Sequence, residues 1–168
     1  AAAQRAVHLE TEGPPAQRAL SGLGLLDGLT GLTVSAPRGR GPRCTVLAGD
    51  AHVTDVIRLE GQEVRLRRHV LAFFQGNRYL LPQLLGHVVD AVPRGSRVVD
   101  LYAGTGLFSV AAAVLRDAQV LAVEGDRSGA EDLATNAEQA SGRVKPMHEP
   151  VESFVGRTHN APHVLIVD

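Results

Sequence analysis

Two carboxylates and a pair of glycines carry the most legible chemistry in this chain. Val98-Val99-Asp100-Leu101-Tyr102-Ala103-Gly104-Thr105-Gly106 reads as a buried strand that ends at an acid and runs into a tight turn opening a helix. Gly104 and Gly106 let the backbone approach a ligand with no Cβ in the way. The next apolar run, Val120-Leu121-Ala122-Val123, ends at Glu124, whose carboxylate can accept from both hydroxyls of a ribose. This spacing fits a nucleoside-bearing cofactor, and charge selects its kind. A dinucleotide turn wants a third glycine where Ser109 stands, and Asp100 would repel a pyrophosphate. The same acid suits the cationic ammonium and sulfonium of S-adenosylmethionine, the expected cofactor. Glu149, just past a third strand, either approaches an adenine edge or is a solvated loop acid, and Pro150 after it removes a backbone donor.

Such a turn works only if strands and helices hold it. From Asn77 to Ala91 the apolar residues fall at helical spacing (Leu80, Leu81, Leu84, Leu85, Val88, Val89), and Pro93 and Gly95 end the run. Beyond it come strand 97–101, helix 107–116, strand 119–123, helix 128–140, strand 143–147, a short helix 151–155 and strand 163–167. Apolar strands alternating with helices predict a parallel sheet covered on both faces, with ligands beyond the carboxyl ends of the strands. Asp100, Glu124, Glu149 and Asp168 fall at or just past such ends. Before residue 72 the pattern changes to short β runs broken by glycine and proline. Leu32-Thr33-Val34 and Cys44-Thr45-Val46-Leu47 flank a turn over 37–42, and residues 52–57 and 63–67 flank another at Glu60-Gly61-Gln62. The expectation is an α/β chain, with a β-rich module over 1–72 and a Rossmann-like cofactor-binding domain over 73–168.

Phe73-Phe74-Gln75-Gly76-Asn77, then a helix, then the run from Asp100 to Gly106, resembles the RNA uracil-C5-methyltransferase family, which forms 5-methyluridine in transfer and ribosomal RNA. The resemblance covers about residues 60–168 well and the first 60 loosely. It implies a class I methyltransferase fold, S-adenosylmethionine as cofactor, and RNA (transfer or ribosomal) as partner. Position by position it implies that Gln75, Tyr102, Gly104, Gly106, Glu124 and Asp168 bind cofactor. Glu124 would hold the ribose, and Asp168 would open the family's Asp-Pro-Pro-Arg segment. On the residues alone, Tyr102 can also be a core aromatic and Gln75 a helix cap, and the spacing of both around one site weighs against those readings. The chain departs from the pattern at Ala103, where relatives carry Cys, and at Leu107, where relatives can have a polar side chain. The family chemistry is covalent: a Cys thiolate adds to uracil C6, C5 takes the methyl, and a base removes the C5 proton. The family's Cys and base Glu follow the Asp-Pro-Pro-Arg segment, so no catalytic residue is expected in these 168 residues, which read as a fragment. Cys44, in a β run between Arg43 and Thr45, reads as a structural thiol.

Composition narrows the class further. The chain is 44% hydrophobic, enough for a real core at 168 residues. It holds no apolar stretch of about 18 residues of the kind that spans a membrane, and with no basic-then-apolar run before the first strand no secretion signal is expected. A single cysteine excludes an internal disulfide and a cysteine metal cluster, and fits a reducing cytoplasm. Charge is uneven: residues 1–80 hold ten arginines against seven acids, whereas 81–168 hold seven basic groups against eleven acids. Arg38, Arg40 and Arg43, with Arg65, Arg67, Arg68 and His69, are candidates for RNA phosphate, the alternative being a solvated charged face. Two rival functions stay open: a methyltransferase acting on protein or a small molecule, and a cofactor- or RNA-binding fragment without turnover.

Overall fold

The computed structural model describes residues 4–12, 27–36, 43–157 and 161–168. Contacts divide the chain into two compact units, Ala1–Thr54 with His69–Leu71, and Asp55–Arg68 with Ala72–Asp168.

The first unit carries a three-stranded sheet of β1 (Ala6–Glu10), β2 (Gly31–Ala36) and β3 (Arg43–Gly49). β1 runs parallel to β2, and β2 antiparallel to β3 with a register shift between Leu32 and Thr33. Leu32 and Val34 are buried, and the His8 ring bonds the hydroxyls of Thr33 (2.8 Å) and Ser35 (2.9 Å). The two flanks of the first expected turn are therefore paired strands; the turn itself, with Arg38 and Arg40, lies outside the described residues.

In the second unit lies most of the hairpin of β4 (His52–Leu59) and β5 (Gln62–His69). It continues with α1 (Leu81–Asp90), β6 (Arg97–Leu101), α2 (Leu107–Arg116), β7 (Gln119–Glu124) and α3 (Arg127–Ala137). After a single 3₁₀ turn (Glu138–Ala140) come β8 (Val144–His148), α4 (Val151–Val155) and β9 (Val164–Val167). The sheet order is β8-β7-β6-β9, with every pair parallel. The chain steps outward from β6 to β7 to β8, then crosses back to lay β9 on the other side of β6. That reversal opens a crevice beyond the carboxyl ends of β6 and β9, where α/β sheets bind ligands.

Helices cover both faces because both faces of these strands are apolar. Val98, Val120, Ala122 and Ile166 share one core with Leu85 and Val89 of α1, Val110, Ala111 and Leu115 of α2, and Leu133 of α3. Leu101 and Val123 pack on the other face against Val151 and Phe154. Ile57, Val64 and Leu66 of the hairpin enter the first core, so residues 55–68, read from the sequence with the β-rich module, group by contact with the second unit.

Two boundaries differ from the spacing-based expectation by three residues or more. α1 starts at Leu81 rather than Asn77, because the Asn77 side chain accepts the N–H groups of Tyr79 (3.1 Å) and Leu80 (3.2 Å) in a turn of its own. Pro82 then sits in the first helical turn, where its missing N–H is not needed. α3 ends at Ala137, and the last expected turn tightens to 3₁₀ form.

Candidate cofactor cleft

The reversal point holds an open cleft with about 330 Å³ of empty space, counting the part continuous with solvent. Gln75, Tyr102, Gly104 and Asp168 line it, together with Phe73, Phe74 and Leu107. Residues 93 positions apart meet here, as the Gln75 Nε2–H donates to Asp168 Oδ2 at 3.0 Å. Tyr102 follows β6 in the left-handed region, at φ 60°, a conformation that strains a side-chain-bearing residue. Its hydroxyl donates to Glu152 Oε1 of α4 at 3.0 Å, and that carboxylate raises the phenol's pKa.

The two glycines of the turn do different work. A Cβ built on Gly104 would meet nothing within 4 Å, so the space beside it is open. A Cβ on Gly106 would lie 2.7 Å from Leu133 Cδ1, a fully buried side chain, and Gly106 is not among the residues lining the cleft. Its φ of 92° and its contact with α3 are a structural reason for glycine here, separate from any ligand. Glu124 is likewise not among the residues lining this cavity. Its Oε2 accepts the Gly104 N–H (2.7 Å) and its Oε1 the Asp126 N–H (2.6 Å), so it braces the turn from beneath. Glu149 instead accepts from Arg157.

Asp100 lies under the same turn and is fully buried. Its Oδ2 accepts the Ser109 hydroxyl at 2.5 Å, while Oδ1 has no partner among the described residues. Burial pushes this carboxyl up to about 7; the Ser109 hydroxyl works against that rise, and the charges of Asp168 and Glu124 add to it. Asn136 was missed by the sequence reading. It is 4% exposed, and its amide reaches the Thr105 carbonyl inside the turn at 2.9 Å. The signal was there: Asp132, Leu133 and Asn136 share the buried stripe of α3, and polar residues on a buried stripe need partners.

Solved structures share this architecture. This chain is similar to the Pyrococcus abyssi tRNA (uracil-54, C5)-methyltransferase bound to S-adenosyl-L-homocysteine, at 19% identity and TM-score 0.60, over 97% of this chain and 35% of that one. It is similar to Methanocaldococcus jannaschii Trm5 in complex with adenosine, at 19% identity and TM-score 0.58, over 97% and 50% of the two chains. It is also similar to the T. thermophilus 16S rRNA N2 G1207 methyltransferase RsmC in complex with AdoMet and guanosine, at 17% identity and TM-score 0.60, over 100% and 56%. The fold is that of the Rossmann-like methyltransferases. The chain spans between about a third and somewhat over half of the length of these three proteins. No protein-family model and no curated protein sequence matches it. Within the methyltransferase fold, the cleft lies at the crevice between β6 and β9, and among the described residues no helix is long and apolar enough to cross a membrane.

Proposed function

We propose that this chain forms the S-adenosylmethionine-binding part of an RNA methyltransferase, with C5 of a uridine in transfer or ribosomal RNA as the methyl acceptor. The observation that carries the reading is the hydrogen bond of Gln75 to Asp168 at the cleft. These two residues and Tyr102 are among the six that the family resemblance assigns to cofactor, and all three line one cavity.

The residues fit the group. Asp100 has a buried oxygen without a partner beneath the turn, and a cationic donor bound above it would favour its ionised form. The open side of Gly104 admits a ligand against the backbone. Glu124 keeps lone pairs beyond those its two N–H donors use, and these suit a ribose diol. Gln75 holds Asp168 in place and Tyr102 contributes an aromatic wall. S-Adenosylmethionine, when bound, supplies an electrophilic methyl group on its sulfonium. Phe73, 77% exposed on the cleft lining, offers a ring face on which an extruded base can stack. Cys44, the one cysteine of the sequence, is exposed in β3 and is not on the cleft lining, so the nucleophile and base of a covalent mechanism are proposed to come from outside these residues. A β-rich module over 1–72 that faces the RNA completes the proposal.

Titration with S-adenosylhomocysteine tests the cofactor arm. Micromolar binding that weakens at least about tenfold in Gln75→Ala and in Asp168→Ala supports it; no binding by the unaltered chain overturns it. Nucleoside analysis of unmodified tRNA and rRNA treated with the natural protein and S-adenosylmethionine tests the acceptor. A methylated guanine in place of 5-methyluridine would overturn the uracil arm and leave the cofactor arm standing.

A further inference from the structure

The outer edge of β5 is paired with side chains of a helix rather than with another strand. The Arg67 N–H donates to Asn136 Oδ1 at 2.9 Å, and Asn136 Nδ2 donates back to the Arg67 carbonyl at 2.7 Å. Two strand residues earlier, the Arg65 N–H donates to Gln139 Oε1 at 3.0 Å, and Gln139 Nε2 donates to the Arg65 carbonyl at 2.5 Å. Asn136 in α3 and Gln139 in the 3₁₀ turn that follows it, three positions apart, thus meet alternate residues of β5 much as an antiparallel strand would.

Asn136 does one thing that Gln139 does not. Its Nδ2 also donates to the Thr105 carbonyl, between the two glycines of the turn. The following Gly106 N–H donates to the Ala103 carbonyl at 2.8 Å, so the Thr105–Gly106 peptide is held at both ends and cannot rotate without breaking a bond. Asn136 and Thr105 are both buried, and every polar group of the Asn136 amide is engaged. A lost bond at this depth cannot readily be replaced by water.

We infer that Asn136 is a positioning residue that ties β5 to the cofactor turn: it fixes the Thr105–Gly106 peptide and takes its own orientation from the Arg67 backbone. The inference rests on the proposed cofactor cleft for its functional meaning, but not for its mechanics. A displacement of β5, such as RNA phosphate drawing on its arginines, is then felt at the turn, and ligand in the cleft is felt at β5.

Gln139→Ala is the comparison, since it removes two bonds to β5 and one to the Asn136 carbonyl but none to the turn. In the ligand-free chain, Asn136→Ala should speed amide hydrogen exchange at Gly106 by about tenfold or more, and Gln139→Ala should leave it unchanged. Affinity for S-adenosylhomocysteine should fall at least about tenfold in Asn136→Ala and stay within about twofold in Gln139→Ala. In the unaltered chain, S-adenosylhomocysteine should slow exchange of the Arg67 amide, a readout that serves if Asn136→Ala does not fold. Equal behaviour of the two variants, or an Arg67 amide indifferent to ligand, would overturn the inference. A chain that binds no S-adenosylhomocysteine would overturn the proposed function instead, and the ligand-free exchange comparison would still judge the tie.

Discussion

Asp100 is a carboxyl group buried with one oxygen bonded and the other unpartnered, and its titration should be visible in the stability of the chain. Folded, it holds its proton up to about pH 7, against an ordinary value of 3.8. The folded state therefore binds more protons than the unfolded state between those limits, and stability is lost as pH rises through that window. Asp100→Asn keeps an acceptor for Ser109 and has no proton to lose. The ligand-free variant should exceed the unaltered chain by roughly 1–3 kcal/mol at pH 8 and lose that advantage towards pH 4; melting curves at the two pH values check this. The glycines give a second residue-scale test. Gly106→Ala should cost roughly 2–3 kcal/mol, because its Cβ meets a buried leucine and its φ is positive. Gly104→Ala should cost only about 1 kcal/mol of stability for its φ yet weaken S-adenosylhomocysteine binding, since the space its Cβ enters belongs to the cleft. Both glycines were legible as a turn. Their different reasons were not, because one depends on Leu133, which arrives from another helix.

At the scale of elements, hydrophobic spacing was sufficient wherever one face is buried against one partner. The α2 helix and strands β6 and β7 lie within a residue of where their apolar runs place them. Spacing failed at the start of α1, where a side-chain turn at Asn77 competes with the helix for the same N–H groups. It also could not assign the hairpin of β4 and β5. Arg116, at the end of α2, reaches Glu60 in the hairpin turn (2.6 Å) and Asp90 at the end of α1 (2.8 Å), with its own side chain only 13% exposed. Arg116→Ala should therefore lower Tm by a few degrees, and high salt should narrow the difference, which thermal melts at two ionic strengths would read. The arginines of β5 were read as candidates for phosphate, yet Arg65 is paired with Glu63 and Arg68 with Asp55. An RNA that uses them must compete with those acids.

For the whole molecule, the excess of arginine over acid before residue 80 remains the strongest pointer to a polyanion. Arg38/Arg40/Arg43→Ala should weaken RNA binding and flatten its dependence on salt; affinities at several salt concentrations that match the unaltered chain would remove that patch from the interface. The sequence by itself determined the α/β class, the parallel sheet, the glycine turn and the acids at strand ends. Each of these follows from short-range pattern: strand periodicity, apolar runs, and a backbone conformation that few residues adopt. Only the tertiary structure decided which of those acids and glycines reach the cleft. Gln75 meets Asp168 only because β9 crosses back beside β6. Glu124 is held by two neighbouring backbone N–H groups, and Gly106 lies against a buried leucine. The tie through Asn136 joins a strand, a helix and a turn that are far apart in sequence, and no local pattern can specify a contact whose partners are chosen by packing.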